Sequence, residues 1–379
     1  MDKRKFIKQG ILGTGALCCL PHITSGNLLS DKELGKSLSQ KLPKGSREAM
    51  YYEVTPRGVK CMICPNECTL KLDELSDCHN RINKDDKLYT MAYGNPCAIN
   101  IDPIEKKPLY HFLPGSRTFS IATAGCNLAC LNCQNWTISQ VSPTETRNYD
   151  LMPDRVVAES LDNHCESIAY TYSEPITFYE YTLESARIAH EKGIKNVMVS
   201  AGYINEEPLR NLAPCIDAAN IDLKSFKESI YLKLNAGKLQ PVLDTLRILL
   251  EEKVWLEITN LIVPNWTDDF DMIREMCEWL YANGFQDCPL HFSRFHPMYK
   301  LTQLPPTPVA TLDKAREIAL QSGIRYVYIG NVPGTKASNT ICPACKRILV
   351  ERRGYLIASN KIKDGKCTYC NEPISGVWS

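Results

Sequence analysis

Net charge is nearly absent from this sequence: 44 Lys and Arg stand against 43 Asp and Glu, a formal +1. A chain so balanced is not built mainly to grip a nucleic-acid backbone or an anionic membrane surface. Long apolar runs are also missing. No hydrophobic stretch reaches the ~18 residues of a transmembrane helix, so none is expected. Nor is the composition that of a disordered chain, because 44% hydrophobic and 23% charged residues fall in the globular range. With 379 residues, two or three domains and a large core are expected. Against these scarcities stand 18 cysteines, most of them in tight groups. A chain this size has a core to stabilise it, so clustered thiols favour metal ligation over a disulfide framework.

Residues 1–25 read as a leader. Lys3, Arg4, Lys5 and Lys8 precede a short apolar stretch at 11–20, then Pro21 and small polar residues, the layout of a secretory signal. The string Lys3-Arg4-Lys5-Phe6-Ile7-Lys8 resembles the twin-arginine export motif with Lys in place of the first Arg. Residues 26–50 are polar and read as a linker, and 51–117 as an N-terminal cysteine-rich module with little periodic structure. From 118 to 335, strand patterns at 118–123, 168–173, 196–201, 218–223, 254–263, 289–295 and 326–329 alternate with helical stripes. One stripe is Val242, Leu243, Leu246, Leu249 and Leu250; another is Met272, Ile273, Met276, Trp279 and Leu280. Gly193, Gly284 and Gly323 mark helix ends. Six strand–helix alternations predict an α/β fold with right-handed βαβ units and a parallel sheet. An open doubly wound sheet and a partial or full (β/α) barrel both satisfy the pattern. Residues 336–379 read as a separate small module.

Three cysteine groups carry the chemistry. Directly after the first strand of the repeat come Cys126, Cys130 and Cys133, spaced x3 and x2. Three thiolates in eight residues can wrap one face of a [4Fe–4S] cluster and leave one iron without a protein ligand. A closed zinc site would want a fourth ligand nearby, and none is obvious. The second group, Cys61, Cys64, Cys68 and Cys78 with Cys97 close by, suits a structural zinc or an auxiliary iron–sulfur cluster. It lacks the C-x2-C-x2-C-x3-C run of bacterial ferredoxins, which speaks against an electron-wire role. The third group, Cys342, Cys345, Cys367 and Cys370, makes two C-x2-C knuckles and predicts a zinc ribbon. The neutral charge favours a structural cap over a nucleic-acid reader, and no nucleic-acid partner is expected. Cys165, Cys215, Cys277 and Cys288 read as core thiols.

C-x3-C-x2-C at the end of a first barrel strand resembles the signature of the radical S-adenosylmethionine (SAM) superfamily. That resemblance implies a barrel of the radical SAM type and an open iron that binds SAM. It also implies reductive cleavage of the sulfonium to methionine and a 5′-deoxyadenosyl radical that abstracts hydrogen, with an electron donor as partner. The superfamily usually places an aromatic residue before the third cysteine, near the adenine; this chain has Asn132. Polar strings fall at the other strand ends, where barrel chemistry gathers. By the same resemblance, Ser173 and Glu174 take the place of the segment that holds the SAM amino group. Asp222, Lys224 and His296 resemble the SAM contacts of the glycyl-radical-enzyme activases, and Ser200 lies at a strand end among them.

The motif order narrows the likeness. Cys61 to Cys68, Asp102 to Gly115, Cys126 to Trp136, Tyr170 to Pro175 and the terminal ribbon follow one another as in the radical SAM protein of the AmmeMemoRadiSam system. That protein is a relative of the pyruvate formate-lyase activating enzymes. The likeness spans residues 51–379 and implies Memo-like partner proteins and a substrate that is a protein or another molecule. The competing reading is a non-catalytic metal-binding interaction protein acting through its ribbon. Intact Cys126, Cys130 and Cys133 favour the enzyme, because a scaffold has no need of an oxygen-sensitive open cluster. SAM and low-potential reductants place the activity in the cytoplasm, whereas the leader points to export of a folded protein.

Overall fold

A computed structural model describes residues 41–379, and Pro43–Ser379 form one compact unit. The leader at 1–25 and most of the linker at 26–50 lie outside the described residues. Residues 51–117 hold more regular structure than the sequence suggests. β1 (Arg47–Glu48), β2 (Tyr52–Thr55), β3 (Gly58–Cys61), β4 (Thr69–Leu70), β5 (Arg81–Lys84) and β6 (Lys87–Thr90) form two antiparallel sheets, β1-β6-β5 and β2-β3-β4. Strands of two to four residues are too short for alternation to show.

Eight strands follow: β7 (Ala98–Pro103), β8 (Arg117–Ala122), β9 (Ser167–Tyr170), β10 (Lys195–Ser200), β11 (Ala218–Asp222), β12 (Trp255–Ile262), β13 (Leu290–Arg294) and β14 (Val327–Gly330). They lie side by side in chain order, with β8 to β14 parallel and β7 antiparallel at the edge. This order decides between the two architectures. Doubly wound sheets need a reversal of strand order, whereas consecutive right-handed crossovers put every helix on one side and curl the sheet. β7 and β14 do not pair with one another, so the barrel is partial. Each of the seven expected strands is present within a few residues, while β7 lies inside the segment read as the cysteine-rich module.

The helices in order are α1 (Trp136–Ser139), α2 (Pro153–Asp162), α3 (Tyr179–Glu191), α4 (Glu206–Leu212), α5 (Glu228–Ile230), α6 (Leu239–Glu251), α7 (Phe270–Ala282) and α8 (Val309–Gln321). α6 buries Val242, Leu243, Leu246 and Leu249 against the sheet, but Leu250 is exposed and Ile248 takes its place. α7 buries Met272, Ile273, Met276 and Leu280. Gly193, Gly284 and Gly323 adopt φ of +73°, +87° and +94° just past α3, α7 and α8. The next N–H in each case bonds the carbonyl five residues back: Ile194 to Ala189, Phe285 to Leu280 and Ile324 to Ala319. This is the Schellman stop, which needs a left-handed residue. α2 and α6 close the same way with His164 and Lys253 in that role. Cys165 and Cys277 are buried, and Cys215 and Cys288 pack half-buried against the core.

The C-terminal strands β15 (Thr340–Ile341), β16 (Ile348–Arg353), β17 (Leu356–Asn360), β18 (Ile362–Lys363) and β19 (Lys366–Cys367) share a core with the barrel. Tyr110, Tyr326 and Tyr328 pack there with Leu349, Val350 and Ile374. Buried Arg352 donates to the carbonyls of Ser338 (3.0 Å) and Tyr110 (2.7 Å). None of the helices among the described residues is long and apolar enough to cross a membrane.

Candidate functional site

A cavity of about 520 Å³ opens at the carboxyl ends of the parallel strands. Cys126, Cys130 and Cys133 line it after β8, Ser173 and Glu174 after β9, Ser200 at the end of β10, and Asp222 and Lys224 at β11. Eight of the residues singled out in sequence thus meet in one place. His296 is not among the lining residues and is exposed beyond β13. The histidine that does line the cavity is His291, inside β13 and buried, with Nε2 at 2.7 Å from the Glu257 carboxylate. Sequence reading passed over it by looking only beyond strand ends. The signal was alternation: His291 and Ser293 face the cavity while Phe292 is buried in the core.

The cysteine loop has no regular structure of its own and is held from outside. Ala129 N–H bonds the Asn235 carbonyl (3.0 Å) and Leu131 N–H the Leu234 carbonyl (2.9 Å), both from the π-helical segment Tyr231–Asn235. Asn127 Nδ2 donates to the Tyr203 carbonyl (2.7 Å) and Gln140 Nε2 to the Leu128 carbonyl (3.1 Å). Asn235 Nδ2 donates to Cys130 Sγ at 3.2 Å, the kind of contact that steadies a thiolate ligand. Burial, with Glu174 and Cys130 close by, pushes the Cys126 thiol far above its ordinary value, and burial with Cys130 raises Cys133. Metal ligation requires the thiolate, so a metal bound here displaces these protons.

Glu174 is 2% exposed. Its carboxylate accepts from Ser200 Oγ (2.6 Å), Ala201 N–H (2.8 Å) and Ile176 N–H (3.2 Å). Burial nonetheless raises its pKa, against the pull of those donors and of Lys224. Two carboxylate oxygens offer about four acceptor sites, so one is left for a cationic donor. Ser173 Oγ donates to the Thr123 carbonyl (2.7 Å), tying the end of β9 to that of β8. Lys224 Nζ donates to Asp222 at 2.9 Å. Burial lowers this lysine, but the charges of Asp222 and Cys130 outweigh it and hold the ammonium above its usual range. Asn132 lines the cavity, and its buried Oδ1 has no hydrogen-bond partner among the described residues. A spread set of thiols, one spare carboxylate site, a fixed ammonium and an orphaned amide oxygen fit an iron–sulfur cluster with a zwitterionic nucleoside ligand.

The three cysteine groups differ in spacing. Cys342, Cys345, Cys367 and Cys370 bring four sulfurs within 4.8 Å of one another, the one such ligand set among the described residues. Zn–S bonds of about 2.3 Å put the sulfurs of a tetrahedral ion about 3.8 Å apart, and Cys342–Cys370 and Cys345–Cys367 stand at 3.6 and 3.8 Å. The N–H groups of Cys345 and Tyr369 point at the sulfurs of Cys342 and Cys367 (3.5 and 3.4 Å). Neither Cys61, Cys64, Cys68 and Cys78 nor Cys126, Cys130 and Cys133 converge in this way.

The sequence matches the Radical SAM superfamily over residues 120–280. An uncharacterized protein of Methanocaldococcus jannaschii is 44% identical over 334 residues, covering 87% of this chain and 99% of that protein. The pyruvate formate-lyase 1-activating enzyme of Escherichia coli K12 is 24% identical over 229 residues, 57% of this chain and 93% of that enzyme. A radical SAM methyltransferase from Sphaerobacter thermophilus superposes with a TM-score of 0.45 at 17% identity, over 62% of this chain and 71% of that one. The thiol-bearing loop after the first parallel strand lies within the matched region, and the chain belongs to the radical SAM superfamily, as an enzyme that cleaves SAM reductively.

Proposed function

We propose that Cys126, Cys130 and Cys133 ligate three irons of a [4Fe–4S] cluster, and that Ser173, Glu174, Ser200, Asp222 and Lys224 hold SAM at the fourth. Bound together, these groups supply one-electron cleavage of the sulfonium and a 5′-deoxyadenosyl radical that takes hydrogen from a substrate. Glu174 accepts from the SAM ammonium with its remaining acceptor site, and Ser200 and Ala201 keep the carboxylate oriented. Lys224, fixed by Asp222 and by the Tyr231 hydroxyl that accepts its backbone N–H (3.0 Å), presents a cation to the SAM carboxylate. Asn132, with its unpartnered amide oxygen, lies where the resemblance puts the adenine. His296, exposed beyond β13 and not among the lining residues, is a further SAM contact supported by the resemblance alone.

The observation that carries the reading is the convergence of three cysteines, Glu174 and Lys224 on one cavity. The activating enzymes among the relatives support a protein as hydrogen donor, and the order of motifs supports the AmmeMemoRadiSam assignment with a Memo-like partner. The ribbon holds one zinc as a structural cap, a reading supported by its sulfur spacing. Activity in the cytoplasm is supported by the need for SAM and a low-potential donor. Export of a reporter fused to residues 1–30 would overturn that placement.

Calorimetric titration of reconstituted protein with SAM tests the site. Saturable binding is expected in the wild type and weaker binding in Glu174→Ala and Lys224→Ala. Equal affinity in all three would contradict the assignment.

A further inference from the structure

We propose that Cys61, Cys64, Cys68 and Cys78 hold a second iron–sulfur cluster, placed directly behind the loop that carries the first. The four thiols are brought together by backbone pairing that does not depend on metal. Cys61 and Cys68 sit on the β3–β4 hairpin, with Cys61 N–H bonding the Cys68 carbonyl at 2.9 Å. Cys64 is at its tip, where its carbonyl accepts from Glu67 N–H (3.0 Å) and Glu67 takes φ +45°. Cys78 arrives on the turn before β5, closed by Ser76 N–H to the Arg81 carbonyl (2.9 Å) and His79 N–H to the Ser76 carbonyl (2.9 Å). Cys61, Cys64 and Cys78 are buried and Cys68 half-buried, and Cys64 lies within electrostatic reach of the other three.

Their spread distinguishes the class of metal. In the same molecule the ribbon thiols lie within 4.8 Å of one another, while no three of these four do. Thiolates on a cuboidal cluster bind separate irons and must stand further apart than those on one ion. The surroundings suit a buried anion. Arg81 is fully buried, pairs with Glu180 through two bonds of 3.1 Å, and lies within reach of Cys61 and Cys78. Its Nε is buried without a hydrogen-bond partner among the described residues. Hydrogen bonds to cluster sulfur are what such a donor can supply. On assembly each thiol releases its proton to solvent as iron binds; Cys68, which now bonds Asp77 at 3.4 Å, gives up that contact.

The second site abuts the first. Gly125, one residue before Cys126, has φ +94°, and a Cβ there would meet the Cys78 carbonyl at 2.4 Å and Asn80 Oδ1 at 2.6 Å. Asn66 Nδ2 donates to the Asn127 carbonyl (2.9 Å), so the hairpin also grips the cysteine loop. Although the ferredoxin spacing is missing, contact between the two loops places the second cluster to relay electrons to the first. One electron from a low-potential one-electron donor enters it and passes to the first cluster, with no bond made or broken. The relay role rests on the reading of the Cys126 loop given above; the second cluster itself does not.

The full chain is reconstituted anaerobically with iron and sulfide as wild type, as Cys126→Ala/Cys130→Ala/Cys133→Ala and as Cys64→Ala/Cys78→Ala. Iron and sulfide are counted, and electron paramagnetic resonance is recorded after reduction. The wild type is expected to bind about eight irons and each variant about four. Spin–spin broadening is expected in the wild type and should be lost in both variants. A triple variant that holds no iron, or that takes up a second zinc instead, would overturn the proposal. If Cys64→Ala/Cys78→Ala does not fold, the triple variant decides alone, because its changes lie in the other loop. Failure of the first-cluster assignment would look different: the triple variant would then hold as much iron as the wild type. Two unbroadened signals in the wild type would overturn the relay.

Discussion

Ser200 Oγ donates to Glu174 Oε1 at 2.6 Å, a bond that runs from the end of β10 to the segment after β9. A buried carboxylate held this way presents a fixed lone pair without reorganising when a cation arrives. Glu174→Ala should weaken SAM binding by roughly 1–3 kcal/mol, about fivefold to 150-fold, with iron content unchanged. Ser200→Ala should cost about 0.5–1.5 kcal/mol, because Ala201 N–H still orients the carboxylate. Equilibrium binding to reconstituted protein measures both, and a larger loss in Ser200→Ala than in Glu174→Ala would reverse the order of roles.

Asp102, on β7, gathers the ammonium groups of Lys106 (2.9 Å) and Lys107 (2.7 Å) and the Tyr172 hydroxyl at the cavity wall. Burial alone would raise this carboxyl, but the three donors outweigh it and hold it well below the usual range. A depressed carboxyl stabilises the fold above its unfolded value, near 4, and that contribution is lost as pH falls through the folded value. Burial brings Lys107 down to about 8 against the pull of Asp102. Asp102→Ala leaves Lys107 buried without its main partner and should destabilise the protein by roughly 3–5 kcal/mol near pH 6. As pH rises through 8, Lys107 sheds its proton and the gap should narrow. Thermal melts of both proteins at pH 6 and pH 9 provide the comparison; an equal difference at the two pH values would contradict the account.

Cys342→Ser/Cys367→Ser should remove about one zinc per chain, since one sulfur is lost from each knuckle. Iron content should not change. Because the ribbon shares Tyr110, Tyr326 and Tyr328 with the barrel, the whole unit should melt earlier rather than the tail alone. Metal analysis with differential scanning calorimetry tests both parts, and an unchanged zinc content would refute the ribbon assignment.

Asn132→Phe restores an aromatic residue where the superfamily usually carries one. The substitution removes a buried amide oxygen that has no partner and gives the adenine an apolar face. SAM affinity should be unchanged or tighter. A loss of about tenfold or more, a penalty of ~1.4 kcal/mol, would show that Asn132 makes a contact an aromatic ring cannot replace.

How far the fold is legible in the sequence follows from local signal strength. The seven parallel strands announce themselves because they are buried on both faces and read as apolar runs between helical stripes. β7 does not, because an edge strand with Asn100 and Ile101 exposed has no apolar face to reveal. Helices that end at glycine are readable, whereas those that stop at His164 or Lys253 leave no mark, since these residue types do not announce a left-handed conformation. At the site, cysteine spacing and the polar strings after β9, β10 and β11 mark residues that line one cavity. His296, past the end of β13, is exposed and does not line the cavity, whereas His291 within that strand does, a placement that spacing along the sequence does not reveal. Spacing alone also cannot tell whether four thiols close on one ion or stay spread, because residues distant in sequence, Cys61 on β3 and Cys78 before β5, meet only through the fold.

Reductive cleavage of SAM is the measurement that reaches the centre of the account. Anaerobically reconstituted protein, reduced with dithionite and given SAM, should yield 5′-deoxyadenosine and methionine in equal amounts. Cys126→Ala, Cys130→Ala and Cys133→Ala should each abolish both products along with the cluster signal of that loop. A wild type that holds its full complement of iron yet forms no 5′-deoxyadenosine with dithionite or a low-potential protein donor would contradict the enzyme reading and leave a metal-bearing interaction protein in its place.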